Sequence, residues 1–253
     1  MYFDTHAHYD DERFDEDRDA VLASMPEGGV ELIVNAACSL ATSRSSIALA
    51  EKYPFVYASV GVHPHDAKEM DDASCAYLQG LSAHPKVVAI GEIGLDYHYD
   101  LSPREVQKAR FHEQLELAKA VDLPVIIHER EACRDVLDII RQHPGVRGVY
   151  HCYSGSWETA KEILAMGWNL SFTGVVTFKN ARKSLEVVRN MPADRLMIET
   201  DSPYLAPEPV RGRRNTSLNL VHIAARIAAE RGMETEELAR LALENGKRFF
   251  AIG

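Results

Sequence analysis

The sequence predicts a single (β/α)8 barrel, and three observations support this fold class. The chain has 253 residues, and α/β barrels commonly use roughly 200 to 250 residues as one domain. Short apolar runs rich in Val and Ile recur along the chain, and eight of them qualify as strands. Segments with helical periodicity separate these runs. We therefore expect residues 1–253 to form one barrel domain, with an open doubly wound sheet as the alternative fold.

The predicted strands are continuous rather than alternating apolar runs, a pattern typical of parallel strands buried on both faces. They lie at residues 2–3, 32–34, 56–62, 87–90, 125–127, 149–150, 170–176 and 196–198. The dinucleotide fingerprint GxGxxG and the phosphate loop GxxxxGK(S/T) are absent, so an open sheet would lack its commonest ligand. This absence favours the barrel.

The clearest predicted helix follows Ser102, which we expect to cap its first turn. Pro103 suits the first helical position, and Glu105 completes a capping box with Ser102. Further helices are predicted at residues 41–52, 131–141, 157–166, 181–189 and 218–230, and from a cap at Thr235 toward residue 249. Strands and helices therefore alternate along the whole chain.

The composition limits the function. The chain carries 28 Lys and Arg against 38 Asp and Glu, a net charge of -10, which argues against a protein that binds duplex DNA through a broad basic face. Its four cysteines form no C-x-x-C pair, so neither a zinc ribbon nor a disulfide framework is indicated. No cleavable signal and no membrane-spanning run is recognisable. We expect a cytoplasmic protein that does not enter membranes, and nothing in the sequence specifies a protein partner.

Histidines cluster at the ends of the predicted strands. Seven of the eleven lie there: His6, His8, His63, His65, His98, His128 and His151. Glu92 and Asp96 follow strand 4, and Asp201 follows strand 8. Because the catalytic groups of a barrel come from the C-terminal ends of its strands, we expect these side chains to converge on one rim. The other four histidines lie within helices or at their far ends.

Six of these side chains predict a metal centre. His6 and His8 are two residues apart on a strand and point to the same side, where they can chelate one ion. Glu92 and His128 each close an apolar run, where a polar side chain is unfavourable unless it is paired or metal-bound. Taken singly, each residue also has a structural explanation, such as a turn or a satisfied core histidine. Together at one rim, they favour a metal centre.

We expect two divalent cations in this centre. Four imidazoles and two carboxylates suit zinc, manganese or magnesium. Two ions about 3.5–4 Å apart and bridged by a carboxylate are the simplest arrangement for six ligands. The assigned ligands are His6, His8, Glu92 and Asp201 at one ion, and Glu92, His128 and His151 at the other. Such a pair generates a metal-bound hydroxide, so hydrolysis is predicted, with Glu92 as the bridge and Asp201 as the general base.

The motifs that carry these residues resemble those of the TatD-type metal-dependent deoxyribonucleases of the amidohydrolase superfamily. They are DTHAH at residues 4–8, GVHPH at 61–65, GEIGLDY at 91–97, IH at 127–128, HCYSG at 151–155 and ETDSPYL at 199–205. The predicted helix after Ser102 also carries residues typical of the family, namely Gln107, Phe111, Gln114 and Leu115. The resemblance extends from Asp4 to Phe250 and so covers essentially the whole chain.

This resemblance implies a (β/α)8 barrel, two divalent cations on the six residues named above, and phosphodiester hydrolysis. Many relatives are described as DNases, and some as 3′–5′ exonucleases. Glu92 stands where other superfamily members bridge their metals with a carbamylated lysine, which favours this branch over dihydroorotase-like or phosphotriesterase-like enzymes. Relatives usually continue the basic stretch RGRRN at 211–215 with Glu-Pro, whereas this chain has Thr216 and Ser217, both good helix caps.

A nuclease with an acidic balance must attract phosphates locally. Arg211 and Arg213 follow strand 8 and are candidate phosphate contacts. His63 and His65 are candidates to hydrogen-bond a phosphate or to orient a ligand. Tyr153 can stack a terminal base, with loop anchoring as the alternative. These features favour DNA ends or single strands over long duplexes.

Three functions compete for this set of residues. The leading one is a metal-dependent deoxyribonuclease, with 3′–5′ exonuclease action on ends or single strands. A superfamily hydrolase of a small ester, lactone or amide would keep the same metals, and the acidic surface favours it. A non-catalytic binding protein on a barrel scaffold is disfavoured by the intact ligand set.

Overall fold

The computed structural model of the protein describes all of residues 1–253. The strands are β1 Tyr2–Ala7, β2 Val30–Asn35, β3 Val56–Val60, β4 Val87–Asp96, β5 Val125–Arg130, β6 Gly148–Tyr150, β7 Asn169–Phe172 and β8 Leu196–Ile198. The helices are α1 Arg18–Ala23, α2 Leu40–Lys52, α3 Ser74–Ser82, α4 Arg104–Val121, α5 Cys133–Ile140, α6 Trp157–Ala165, α7 Arg182–Asn190, α8 Leu220–Arg231 and α9 Thr235–Phe250. None of them combines the length and the apolar composition that a bilayer-spanning helix needs. The strands follow chain order from β1 to β8, as in a (β/α)8 barrel, so the predicted fold class is confirmed.

The chain divides into two compact units. One comprises residues 1–35 and 152–253, and the other comprises residues 36–151. The first unit therefore holds β1, β2, β7 and β8, and the second holds β3 to β6. A single domain of residues 1–253 stays a prediction.

In the first unit, β1 pairs with β2 and β7 pairs with β8, both in parallel. The end of β1 is tied to the segment after β8 by a parallel bridge between Ala7 and Ser202. α9 packs closely on β1, because a Cβ on Gly246 would lie 2.5 Å from a ring carbon of Phe3. Only glycine permits this approach. The close packing fixes the position of β1, which contains His6 and is followed directly by His8.

In the second unit, β3, β4, β5 and β6 form one parallel run of strands. Gly94 of β4 is opposite His128 of β5. Its φ is +143°, and a Cβ there would lie 2.0 Å from the carbonyl oxygen of His128. Since no other residue fits, Gly94 determines how closely β5 brings His128 to β4.

Helix α4 of the second unit buries two glutamines against the ends of strands. The Gln114 side chain accepts a hydrogen bond from the Val62 N–H at 2.7 Å and donates to the Val62 carbonyl at 3.0 Å. Gln107 accepts from the Asp96 N–H at 2.9 Å and donates to the Asp96 carbonyl at 3.2 Å. These carboxamides satisfy backbone groups that the sheet leaves unpaired after β3 and at the end of β4.

Several predicted boundaries were wrong. β4 continues through Glu92 to Asp96, so Glu92 lies within the strand rather than after it. β7 ends at Phe172, because a short 3-10 helix, Gly174–Thr177, follows. The Ser102 hydroxyl does not cap α4: it donates to the carbonyl of His65 at 2.7 Å.

Other differences concern the helices. Helices α1 and α3 were not predicted; α1 has only six residues and α3 contains an internal glycine, which weakens helical periodicity and propensity. Thr235 is the first residue of α9 rather than its cap. The remaining predicted helices are present within two residues of their predicted bounds.

Candidate metal centre

The second unit gathers imidazoles around the carboxylate of Glu92. Glu92 Oε1 lies 2.8 Å from Nδ1 of His128 and 3.0 Å from Nε2 of His151. Nε2 of His63 approaches the same oxygen to 3.6 Å. The three residues that the sequence assigns to the second ion therefore lie together, and His63 joins them.

These side chains fit a divalent cation. His63, Glu92 and His128 offer ligand atoms that all lie within 4.8 Å of one another. Glu92 and His63 are buried, at 3% and 7% exposure, so water cannot satisfy their polar atoms freely. A set of imidazole nitrogens and one carboxylate suits zinc or manganese.

Asp96 orients His128 from the side away from Glu92. Oδ2 of Asp96 lies 3.0 Å from Nε2 of His128 and 3.0 Å from Nε2 of His65. Its other oxygen, Oδ1, accepts the backbone N–H groups of His98 and Tyr99. Because an ionised carboxylate only accepts hydrogen bonds, both imidazoles must donate from Nε2. The Nδ1 side of His128 is thereby directed to Glu92, an arrangement that commonly fixes metal-binding histidines.

The carboxylates of this cluster shape its charge. Burial works to raise the pKa of Asp96, but the hydrogen bonds from His128, Tyr99 and His65 outweigh it and hold that pKa below its ordinary range. Burial lowers the pKa of His63, and the neighbouring His128 lowers it further, so His63 is neutral at pH 7. Burial likewise acts to lower the pKa of His128, yet its bonds to Asp96 and Glu92 raise it. Asp96 and Glu92 thus favour the charged form of His128 but not of His63.

The first unit holds the other predicted ligands. Nε2 of His6 and Nε2 of His8 are 3.1 Å apart, which follows from their alternate positions at the end of β1. Oδ1 of Asp201 lies 3.2 Å from the His8 nitrogen and 3.7 Å from the His6 nitrogen. Three potential ligand atoms therefore converge on one point, as chelation requires.

The backbone holds Asp201 in an uncommon conformation. Its φ is +57°, a left-handed value that Asp tolerates better than most residues. Its N–H donates to the carbonyl of His6 at 2.9 Å, and the N–H of Tyr204 donates to its carbonyl at 2.8 Å. These bonds fix the carboxylate beside β1.

A buried carboxylate that the sequence did not single out supports this cluster. Asp4 accepts hydrogen bonds from the Thr200 N–H at 2.9 Å and from the hydroxyls of Thr200 and Ser217 at 2.5 and 2.6 Å. Burial raises the pKa of Asp4 to about 7 against the effect of these bonds. Asp4 therefore links β1 to the segment after β8. Ser217, expected as a helix cap, donates to Asp4 instead.

Glu199 is a second buried carboxylate in the first unit. It is 1% exposed and accepts from the backbone N–H of Cys152 at 2.6 Å and from the Thr5 hydroxyl at 3.4 Å. Glu199 begins the motif ETDSPYL, two residues before Asp201, and these are the sequence signals that could have indicated it.

The predicted substrate contacts differ in their surroundings. Arg211 and Arg213 are exposed, and the guanidinium of Arg211 lies 4.3 Å from the ring centre of Phe178. His65 bonds to Asp96, as described above. Tyr153 is only 5% exposed and its hydroxyl donates to the carbonyl of Ser156 at 2.7 Å. Its surroundings favour the loop-anchoring alternative.

An exposed tyrosine lies close to the Glu92 cluster. Tyr99 is 54% exposed, and its ring lies edge-on to His65 with centroids 5.4 Å apart. The guanidinium of Arg130 lies 4.7 Å from its ring centre. By contrast, Tyr97 donates its hydroxyl to Asp135 at 2.6 Å. Tyr99 is therefore the aromatic side chain of this loop that can take a new contact.

A parallel barrel whose strand ends carry clustered imidazoles and carboxylates is the construction of a metal-dependent hydrolase. The chain belongs to this class. More particularly, it belongs to the family described as TatD related DNase, whose sequence model matches residues 3–251. The resemblance seen in its motifs is confirmed.

Individual relatives extend this result over the whole chain. An uncharacterized metal-dependent hydrolase, YabD of Bacillus subtilis (strain 168), is 46% identical over 254 residues, covering 100% of both chains. A protein of Cronobacter turicensis named 3′-5′ ssDNA/RNA exonuclease TatD is 38% identical, covering 98% of this chain and 97% of the other. The crystal structure of YJJV, a TATD homolog from Escherichia coli K12, superimposes with a TM-score of 0.93 at 32% identity. It covers 100% of this chain and 98% of that one.

Proposed function

We propose that this protein is a divalent-metal-dependent phosphodiesterase that hydrolyses DNA, acting as a 3′–5′ exonuclease on ends or single strands. The convergence of His128, His151 and His63 on Glu92 is the observation that carries the proposal. A relative named as a 3′-5′ ssDNA/RNA exonuclease, similar over nearly the full chain, supports the substrate class.

The proposed centre uses the six residues identified from the sequence. His6, His8, Glu92 and Asp201 would hold one cation, and Glu92, His128 and His151 a second, since all strands of a barrel end at one rim. When bound, the cations supply Lewis-acid polarisation of a phosphoryl oxygen and acidify water. We further propose that residues 1–253 act as one domain, which a family model spanning 3–251 supports.

The protein's own groups would perform the remaining work. Asp201 keeps 15% of its side chain exposed, so a carboxylate oxygen can take a proton from water at the edge of the cluster. Glu92 and Asp96 provide the negative charge that retains cations. Tyr99 can stack an unpaired base, because every base presents a π face. A net charge of -10 opposes binding of a long duplex and favours short contacts of this kind.

A cleavage assay tests the proposal. Metal-loaded protein is incubated with 3′-labelled and 5′-labelled single-stranded DNA in magnesium, manganese or zinc, beside the Glu92→Gln variant. Glu186→Gln, at an exposed position of α7, is the matched control. We expect the wild type and the control to shorten DNA from the 3′ end and Glu92→Gln to lose activity. No cleavage by the wild type in any metal would overturn the proposal.

The acidic surface favours one alternative, a hydrolase of a small ester, lactone or amide. The same preparations would distinguish it. Hydrolysis of such substrates that depends on Glu92, without nucleic-acid cleavage, would support the alternative.

A further inference from the structure

A second group of histidine, cysteine and carboxylate side chains lies in the second unit, apart from the Glu92 cluster. It lines a cavity of about 560 Å³ beside α3, α4 and the turn after α5. The side chains around this cavity are Asp71, Asp72, Cys75, Arg110, His112, Glu113, Glu116 and His143. Its two histidines are among the four that fall outside the predicted rim.

The two histidines form a chain with one carboxylate. Nδ1 of His143 lies 2.7 Å from Glu116 Oε1, and Nε2 of His143 lies 2.7 Å from Nδ1 of His112. Because Glu116 accepts, His143 carries its hydrogen on Nδ1 and turns the lone pair of Nε2 toward His112. His112 and Glu116 are one helical turn apart on α4, so one helix face presents both groups to His143.

The cavity favours a cation. Four carboxylates and one guanidinium line it, which leaves a net charge of −3 with both histidines neutral. The one guanidinium, Arg110, is bound by both oxygens of Glu113 at 2.9 and 2.8 Å and by the Met70 carbonyl at 2.8 Å. It is therefore not free to neutralise the other carboxylates. If the hydrogen-bonded chain of His112, His143 and Glu116 only stabilised the fold, it would need neither the cavity nor this excess of negative charge.

We propose that this cavity is a further metal site, in which His112 Nδ1 and His143 Nε2 bind one borderline divalent cation of the zinc type. Glu116 orients His143, as carboxylates orient zinc-binding histidines elsewhere. Two nitrogens at zinc distances of about 2.0–2.1 Å and a tetrahedral angle lie about 3.4 Å apart. The imidazoles must therefore separate by roughly 0.7 Å, a small side-chain rotation.

Binding of the cation by the two imidazoles releases no proton. The hydrogen of His112 moves from Nδ1 to Nε2, so His112 stays neutral. Cys75 lines the same cavity, with its Sγ 3.9 Å from Glu113 Oε2. Thiol, carboxylate and water are the donors available for the remaining positions.

Zinc stoichiometry tests the proposal. The wild type, His143→Gln and His112→Gln are dialysed against buffered zinc, and bound zinc is counted by atomic absorption. His84→Gln is the control, because His84 lies outside the cavity and outside both parts of the candidate metal centre, with its Nε2 3.3 Å from Glu51. We expect each cavity variant to lose one zinc per chain and the control to lose none. Unchanged stoichiometry in both cavity variants would overturn the proposal.

A second measurement uses only the wild type and therefore tests the proposal even if the variants do not fold. Anomalous scattering at the zinc edge, from wild-type crystals grown with zinc, should show a peak between His112 and His143. A zinc-loaded crystal with no peak there would overturn the proposal. The cavity variants should keep single-strand cleavage, whereas Glu92→Gln should lose cleavage and keep the cavity zinc, so the two proposals fail separately.

Discussion

Replacing Asp96 by Asn would test how the Glu92 cluster controls its imidazoles. The backbone N–H groups of His98 and Tyr99 require an acceptor at the position of Oδ1. The new amide nitrogen must therefore take the place of Oδ2, 3.0 Å from Nε2 of His128. An amide N–H cannot accept the Nε2 hydrogen. His128 is expected to move its hydrogen to Nδ1, where it opposes a cation at Glu92.

The expected magnitude follows from the role of such partners. Losing the carboxylate that orients a metal-binding histidine typically lowers metal affinity by about 10- to 100-fold, or about 1.4 to 2.7 kcal/mol. Competition with a chromophoric chelator for manganese would measure the loss. Asp138→Asn is the matched control, because Asp138 is 46% exposed and bonded to Arg134 and Arg141 on the surface, where ion pairs contribute little. Wild-type manganese affinity in Asp96→Asn would refute the reasoning.

Three further predictions concern other parts of the chain. Tyr99→Ala should weaken binding of single-stranded DNA by about 5- to 150-fold, the equivalent of 1–3 kcal/mol of base stacking, as measured by fluorescence anisotropy. Gly94→Ala should destabilise the protein by about 2–4 kcal/mol in urea denaturation, because its Cβ would lie 2.0 Å from the His128 carbonyl oxygen. Asp17 receives two hydrogen bonds from Arg214, which lower the Asp17 pKa. The contribution of Asp17 to the free energy of unfolding is therefore present above the unfolded pKa of about 3.9 and lost as pH falls through the folded pKa. In Asp17→Asn, the free energy of unfolding should accordingly fall less between neutral and acid pH.

Matched substitutions separate these effects from general damage. Tyr99→Phe keeps the ring and should bind DNA as the wild type does; equal weakening in Phe and Ala variants would contradict stacking. Gly80→Ala lies in α3, where nothing is within 4 Å of the added Cβ, and should not destabilise. An acid profile of Asp17→Asn that superimposes on the wild type would show that the pair with Arg214 contributes nothing.

The sequence predicts the barrel and the strand ends that carry the clustered side chains, because both depend on short patterns. Apolar runs locate the strands, and a histidine or carboxylate directly after a run places a side chain at a strand end. The family resemblance has the same source, since its motifs are these strand ends. Local pattern is therefore sufficient to place His6, His8, His128 and His151 in or directly after strands.

The rest depends on contacts between distant segments. Asp4 bonds to Ser217, which is 213 residues away in sequence, and no local pattern indicates that pair. Asp96 was noted at the end of strand 4, but its bonds to His65 and His128 require the register of three strands. The Ser102 hydroxyl matched a capping pattern and instead bonds to His65, because tertiary contacts outweigh local propensity.

The two buried glutamines of α4 allow that helix to position the backbone after β3 and at the end of β4. Gln107 and Gln114 are seven residues apart, two turns or about 10.5 Å of helix. Each carboxamide bonds to both the N–H and the carbonyl of one residue, Asp96 for Gln107 and Val62 for Gln114, much as a neighbouring strand would. One helix thereby holds the backbone that follows β3 and the end of β4. The backbone at Asp96 and at Val62, the residue before His63, is thus fixed by a helix that contributes no ligand of its own to the Glu92 cluster.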